Sequence, residues 1–229
     1  MSRKEFFAGA RAELPLLLGV APFGMIYGVL ALKAGLPVSM AQAMSSVLFA
    51  GSAQFMAVQL LQNGTPLVVV VLTAFMVNLR HSLYSASVAP YVSHLPRGWK
   101  TLLAYLLTDE AYAVSISHYS EETPLEHKHW YYLGAGFTLW ACWQLSTAMG
   151  IFLGAQVPSS WSLDFALALT FIALVVPVLK DKAAASAALL AGAVSVFAFG
   201  LPYKLGLLLA ALVGIGAGML GEMVWRRSG

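Results

Sequence analysis

The stretch FMVNLRHSLYSA, residues 75–86, sets an asparagine, an arginine and a histidine within four positions, directly behind the apolar run LVVVVLTAFMV, residues 67–77. Either the chain leaves an apolar medium at Arg80, or it carries Arg80 into a protein interior. The rest of the sequence decides which medium is meant. It is 59% hydrophobic and only 10% charged, against roughly 25% charged residues in an ordinary soluble domain. Runs free of Asp, Glu, Lys and Arg cover 14–32, 34–79, 130–163, 165–179, 183–203 and 205–221. A bilayer core about 30 Å thick takes about 20 apolar helical residues, so the chain reads as a row of membrane spans with no soluble mass for a separate catalytic domain.

Eight spans fit, at 14–33, 38–62, 65–92, 101–118, 130–155, 161–179, 183–199 and 204–224, with seven the alternative count. The divisions fall at turn-forming clusters: Gly35-Leu36-Pro37, Asn63-Gly64-Thr65-Pro66, Leu95-Pro96-Arg97-Gly98, Val157-Pro158-Ser159-Ser160 and Gly200-Leu201-Pro202. The expected fold is an all-α polytopic integral membrane helical bundle with broken helices, forming a single transmembrane transporter domain over 1–229. With a cytoplasmic N-terminus, the inside carries Arg3, Lys4, Arg11, Lys128, Lys180, Lys182, Arg226 and Arg227, and the outside Lys33, Arg97, Lys100 and Lys204. That asymmetry follows the positive-inside rule and places both termini in the cytoplasm of a bacterial inner membrane.

The net charge of +3 is scattered over span ends, which argues against a nucleic-acid partner. The single Cys142 excludes an intrachain disulfide framework. The first apolar run is long, is interrupted by Pro22 and Gly24, and is read as a retained span. The segment 65–92 is too long for one upright helix, so a tilt, kink or break is expected near Arg80, which Pro90 at its far end does not explain. Ser45–Gly51 echoes Ser186–Gly192, and pairing the second span with the seventh would make an inverted repeat of the transporter kind.

Three stretches depart from lipid-soluble composition. In Gly19-Val20-Ala21-Pro22-Phe23-Gly24, proline removes a donor and glycine loosens the helix, so a break is expected there, with its freed backbone on a cavity. In Phe49-Ala50-Gly51-Ser52-Ala53-Gln54-Phe55, four small residues admit a close neighbour and Gln54 requires a polar interior. The third is the opening stretch taken with Thr108-Asp109-Glu110-Ala111-Tyr112. A charge at a span centre costs roughly 2.5–3.5 kcal/mol, so Arg80 should pair with Asp109 or Glu110. On a helix, Asn78, Ser82 and Ser85 make one polar stripe, with Arg80 and Tyr84 beside it. His81, Asp109 and Glu110 are the groups that could carry a proton. Asp109 shares a face with Tyr105 and Tyr112 and is the acid expected to face the cavity.

Other chemistries lack their parts. Glu126-His127-Lys128-His129 reads as a polar loop without zinc-ligand spacing, so no metal or other cofactor is expected. Ser52 and His81 have no nucleophile elbow or third orienting group. There is no P-loop, so any pumping draws on a gradient. The function classes left are transporter, passive channel and non-transporting scaffold; none is an enzyme.

The three polar stretches, in this order and spacing, resemble the large subunit of the AzlC/YgaZ family of branched-chain amino acid exporters, over roughly residues 5–225. The likeness rests on Leu16 to Gly24, Phe49 to Phe55, Asn78 to Tyr84 and Thr108 to Tyr112. It implies export of valine, leucine, isoleucine and methionine together with a small multi-span AzlD/YgaH-like partner subunit. The residues agree with an amino-acid substrate: Arg80 or freed amides near Gly51 for its carboxylate, the acids at 109 and 110 for its ammonium, and Phe49 or Phe55 for its side chain. The small-residue rows Gly150, Gly154 and Ala210, Gly214, Gly218 would suit a helical partner or packing within the chain.

Overall fold

The structure, a computed structural model, describes residues 2–119, 127–154, 179, 181–201 and 205–226. Ten helices and no strand are found among them. These are α1 (Ser2–Lys33), α2 (Val38–Val47), α3 (Gly51–Gln62), α4 (Leu67–Asn78), α5 (Arg80–Val92), α6 (Arg97–Tyr105), α7 (Asp109–Tyr119), α8 (Lys128–Gly154), α9 (Lys182–Phe197) and α10 (Leu205–Arg226). The span expected at 161–179 lies almost wholly outside the described residues. Of the described helices, α1 is long and apolar enough to cross a bilayer alone, and α4 with α5 passes jointly across a 42° bend.

Two compact units are present. The first holds α1 to α8 apart from the start of α4; the second holds α9 and α10 with Asn63–Val69. In the second, Asp181 caps α9 by accepting a 2.7 Å hydrogen bond from the Ala184 amide, which satisfies a donor that the helix leaves orphaned. Glycine then lets α10 close on α9. A Cβ on Gly206 would stand 2.3 Å from the Ala198 carbonyl oxygen, and one on Gly214 would stand 2.9 Å from the Ala191 methyl.

The first unit is built on a seam between α1 and α8. A Cβ on Gly9 would lie 2.0 Å from the Tyr131 carbonyl oxygen, one on Gly28 2.5 Å from that of Thr147, one on Gly134 2.0 Å from that of Phe6, and one on Gly150 2.1 Å from that of Met25. Where no side chain intervenes, backbones approach to van der Waals contact, the usual driving force between helices in lipid. Contacts advance together along both helices, so α1 and α8 run parallel. Gly150, Gly154, Gly214 and Gly218 all pack within their own units. These rows therefore lend no support to a partner subunit.

Two sequence expectations are corrected here. The first span is not broken: α1 runs uninterrupted through Pro15 and Pro22, and Pro22 is exposed. The missing Pro22 amide frees one carbonyl, while Gly24 is used for packing, since a Cβ there would fall 2.0 Å from the Ser146 hydroxyl oxygen. A seam that holds both ends of α1 overrides the local weakness. The echo between Ser45–Gly51 and Ser186–Gly192 also ends at the sequence, because the first stretch contains a helix break and the second lies within unbroken α9.

Breaks fall at Leu79 between α4 and α5, as the length of 65–92 requires, and also at 48–50 between α2 and α3 and at 106–108 between α6 and α7. No proline sits at any of them. A helix end inside a bilayer needs partners for its last carbonyls, and neighbouring helices provide them. Gln144 of α8 donates to the Ser45 carbonyl at 3.1 Å while its own carbonyl accepts from Gln42 at 2.9 Å. Tyr105 donates to the Ser46 carbonyl at 2.5 Å, and Tyr132 of α8 donates to the Leu103 carbonyl at 3.0 Å. At the start of α7, Thr108 accepts from the Ala111 amide at 3.3 Å. Gln144→Leu is accordingly expected to destabilise the protein by about 1–3 kcal/mol, the cost of leaving buried polar groups unpaired. A lowered melting temperature in detergent, against a neutral Leu145→Ala control on the exposed face, would register it.

Candidate functional site

The three breaks deliver the polar stretches to one place. Ser52 is the second residue of α3, Arg80 the first of α5 and Asp109 the first of α7. The Arg80 guanidinium bridges the other two: Nη1 lies 2.7 Å from Asp109 Oδ2, and Nη2 donates to Ser52 Oγ at 2.6 Å. The N-terminal ends of α3 and α7 add partial positive charge to that of the guanidinium, and Asp109 in the first turn of α7 offsets part of it. The arrangement concentrates positive charge that one internal carboxylate partly offsets. The Arg80 and Asp109 side chains are 36% and 37% exposed, so the pair is not sealed within the packed helices.

Several polar atoms around the pair have no hydrogen-bond partner among the described residues: Arg80 Nε, Asp109 Oδ1, the Asn78 side-chain oxygen, both amide atoms of Gln54, and Trp143 Nε1. Gln54 is completely buried. Next to them stand aromatic walls. Trp143 presses on Gly51, where a Cβ would meet its ring at 2.8 Å, and it stacks with Tyr27 at 6.3 Å between centroids. Phe55 packs edge-on to Tyr27 at 6.2 Å, and Phe49 lies 6.1 Å from Tyr105.

The sequence-derived candidates divide as follows. Gly51, Ser52, Gln54, Asn78, Arg80 and Asp109 sit at the breaks. Phe49 lines the α2–α3 break on the Tyr105 side. Pro22 faces away, and Gly24 is a packing residue. The Asn78, Ser82, Ser85 stripe is not the inner face, because Ser82 and Ser85 are exposed. The inner stripe is Arg80 with Tyr84, whose ring stacks on Tyr112 at 4.5 Å, while Tyr112 shares a 3.0 Å hydrogen bond with Ser87. His81 is half-buried against Tyr84, 5.9 Å between ring centroids. Asp109 is the acid that meets Arg80, but not for the expected reason: the break at 106–108 places Tyr105 on another helix. No ion pair between Glu110 and Arg80 is found among the described residues, where Arg80 pairs with Asp109.

One acid escaped the sequence reading. Glu13, just before the first apolar run, is completely buried. The signal was its place: an acid immediately before a 19-residue uncharged run, on a helix that begins eleven residues earlier. Trp143 and Gln144 were passed over because they lie inside the uncharged run 130–163.

The AzlC family model, described as AzlC protein, matches residues 15–157, which covers most of the unit that contains all three breaks. The chain belongs to the AzlC family. Among its relatives, the inner membrane protein YgaZ of Escherichia coli K12 is 25% identical over 96% of this chain and 90% of its own. An uncharacterized membrane protein of Archaeoglobus fulgidus is 29% identical over 77% of each chain. Another, of Helicobacter pylori 26695, is 26% identical over 74% of this chain and 75% of its own. No solved structure matches. This AzlC-family chain is therefore a membrane protein, all-helical among its described residues, and the family match extends over the Arg80 centre.

Proposed function

We propose that the chain exports branched-chain amino acids, with valine, leucine, isoleucine and methionine as the substrate class, across the inner membrane by alternating access coupled to protons. It acts as a transporter and not as an enzyme, together with a small multi-span AzlD/YgaH-like subunit. The observation that supports this most directly is the Arg80 guanidinium, shared between Asp109 and Ser52 where three helix breaks meet. A zwitterionic substrate can replace both halves of that pair at once, its carboxylate on Arg80 and its ammonium on Asp109, while its apolar side chain lies against aromatic walls. The site thereby selects neutral amino acids over acids and bases.

The transmembrane arrangement follows the same reading. Because α1 and α8 run parallel, the chain between them crosses an odd number of times. The broken pairs α2/α3, α4/α5 and α6/α7 would supply three crossings, α4/α5 across its 42° bend. With α9 and α10 this makes a multi-pass protein with a cytoplasmic N-terminus, and the further span of the eight-span count, 161–179, lies almost wholly outside the described residues.

Proteoliposomes holding the full chain, with and without the small subunit, test the proposal by counterflow. Trapped unlabelled leucine should drive entry of labelled leucine, valine and isoleucine, whereas trapped glutamate or lysine should not. An inside-to-outside pH difference should accelerate net movement. Absence of counterflow in both preparations would refute the transport reading.

A further inference from the structure

We propose that the seam between α1 and α7 is the proton path to the Arg80–Asp109 centre, and that Glu13 is the proton-binding carboxyl on it. This rests on the transport reading above and adds to it a residue and a route.

Glu110 of α7 lies near enough to Glu13 of α1 to act on it electrostatically. At the other end, Glu5 of α1 lies 3.6 Å from His118 Nε2 of α7. The two helices thus run antiparallel, with Glu5 against His118 at one end and Glu13 in the neighbourhood of Glu110 at the other. Eight residues separate each pair, about 12 Å at 1.5 Å per residue. Ser115 stands between them on α7, completely buried, its hydroxyl without a partner among the described residues. Along the axis it is about 4.5 Å from His118 and about 7.5 Å from Glu110, so a proton passing it would need water as a carrier. Glu110 is followed by Asp109 and Arg80, both of which act on it electrostatically. The series Glu5, His118, Ser115, Glu13, Glu110, Asp109 therefore runs from the N-terminal end of α1 to the centre.

Glu13 is the member that packing does not explain. Both carboxyl oxygens lack hydrogen-bond partners among the described residues, although the residue has no exposed surface. An ionised carboxylate so placed is very costly unless paired, and it binds a proton instead. From α8, the register that sets Gly9 against Ala135 and Gly24 against Trp143 brings Ala135 and Leu139 to the level of Glu13, neither of them titratable. Further along, α8 presents Tyr131, stacked on His118 at 3.9 Å, and Lys128, whose ammonium is directed at the Tyr119 carbonyl at 2.8 Å. No cation on α1, α7 or α8 among the described residues forms an ion pair with Glu13. The step is a proton transfer alone: an O–H bond forms on Glu13 as one breaks on Glu110 or on a water, and it reverses as the proton moves on toward His118 and Glu5. With the N-terminus cytoplasmic, this is the side on which protons leave during export.

Two measurements on the full chain decide the matter. In detergent, infrared difference spectra between acid and alkaline solution should show the carbonyl stretch of a protonated carboxylic acid in an apolar setting, and Glu13→Gln should lose that band. An unchanged band overturns the proposal whether or not the protein transports. In proteoliposomes, Glu13→Gln should keep leucine counterflow but lose acceleration by a pH difference, and Ser115→Ala should slow the accelerated rate. Parent and Glu13→Gln accelerated alike would overturn it, and so would an unaffected Ser115→Ala rate should Glu13→Gln fail to accumulate. Failure of counterflow in the parent itself speaks against the transport reading, which the infrared measurement does not use.

Discussion

Arg80→Ala is expected to lower leucine counterflow about 100-fold, since one charge-assisted hydrogen bond contributes about 1.5–3 kcal/mol and about 1.4 kcal/mol corresponds to a factor of ten. The substitution takes away the group that receives the substrate carboxylate and also leaves Asp109 without its cation. Arg80→Lys keeps the charge and loses the fork that reaches Asp109 and Ser52 together; it should retain part of the activity, because a lysine ammonium is a point charge without bidentate geometry. Asp109→Asn frees Arg80 of its internal competitor but also removes the group that receives the substrate ammonium, so leucine counterflow should fall, though less than in Arg80→Ala. Counterflow by Arg80→Ala at the parent rate would exclude the centre as the substrate site.

Gly150→Leu should abolish accumulation of the folded protein in the membrane, whereas Gly19→Leu on the same seam's outer side should accumulate normally. The difference is geometric. A Cβ at Gly150 would lie 2.1 Å from a backbone oxygen and 2.6 Å from the Met25 Cα, atoms that cannot yield without moving α1, while a Cβ at Gly19 meets nothing within 4 Å. Even Gly150→Ala should be felt, by roughly 1–3 kcal/mol, the usual cost of overpacking a closed contact. Membrane abundance and the melting temperature of the purified protein measure both effects. A Gly150→Leu protein with parental stability would show that α1 and α8 do not touch as described.

What the sequence revealed, and what it hid, follows from where the relevant forces act. Composition and uncharged runs made the helical membrane fold legible, because the cost of polar groups in lipid is local and large. The pairing of Arg80 with an acid was legible for the same reason. The break at Leu79 was legible too, since residues 65–92 are too long for one upright helix; the breaks at 48–50 and 106–108 were not. Pro22 carries a strong local signal for a break, and tertiary packing on α8 suppresses it. Leu48 to Ala50 carries almost none, and the break exists because Gln144 and Tyr105, far away in sequence, receive the freed carbonyls. The run Thr108-Asp109-Glu110 held a helix-start signature, a hydroxyl residue followed by acids in the first turn, that a reading centred on charge pairing passed over. Glu13 stayed hidden because a residue at the edge of an apolar run looks interfacial until the helix is seen to extend well beyond it.

The caps at two of the three breaks have a consequence for how the chain is made. Synthesis proceeds from the N-terminus, so α2 and α6 leave the ribosome before Gln144 and Tyr132 exist to receive their terminal carbonyls. Until α8 enters the bilayer, those ends must be held by water or by the insertion machinery, and α1 waits without the helix that fills its glycine notches. The first seven helices thus form an order of assembly in which the eighth acts as the closing piece, and a nascent chain stopped before Lys128 would be an unfinished intermediate with a hydrated interior.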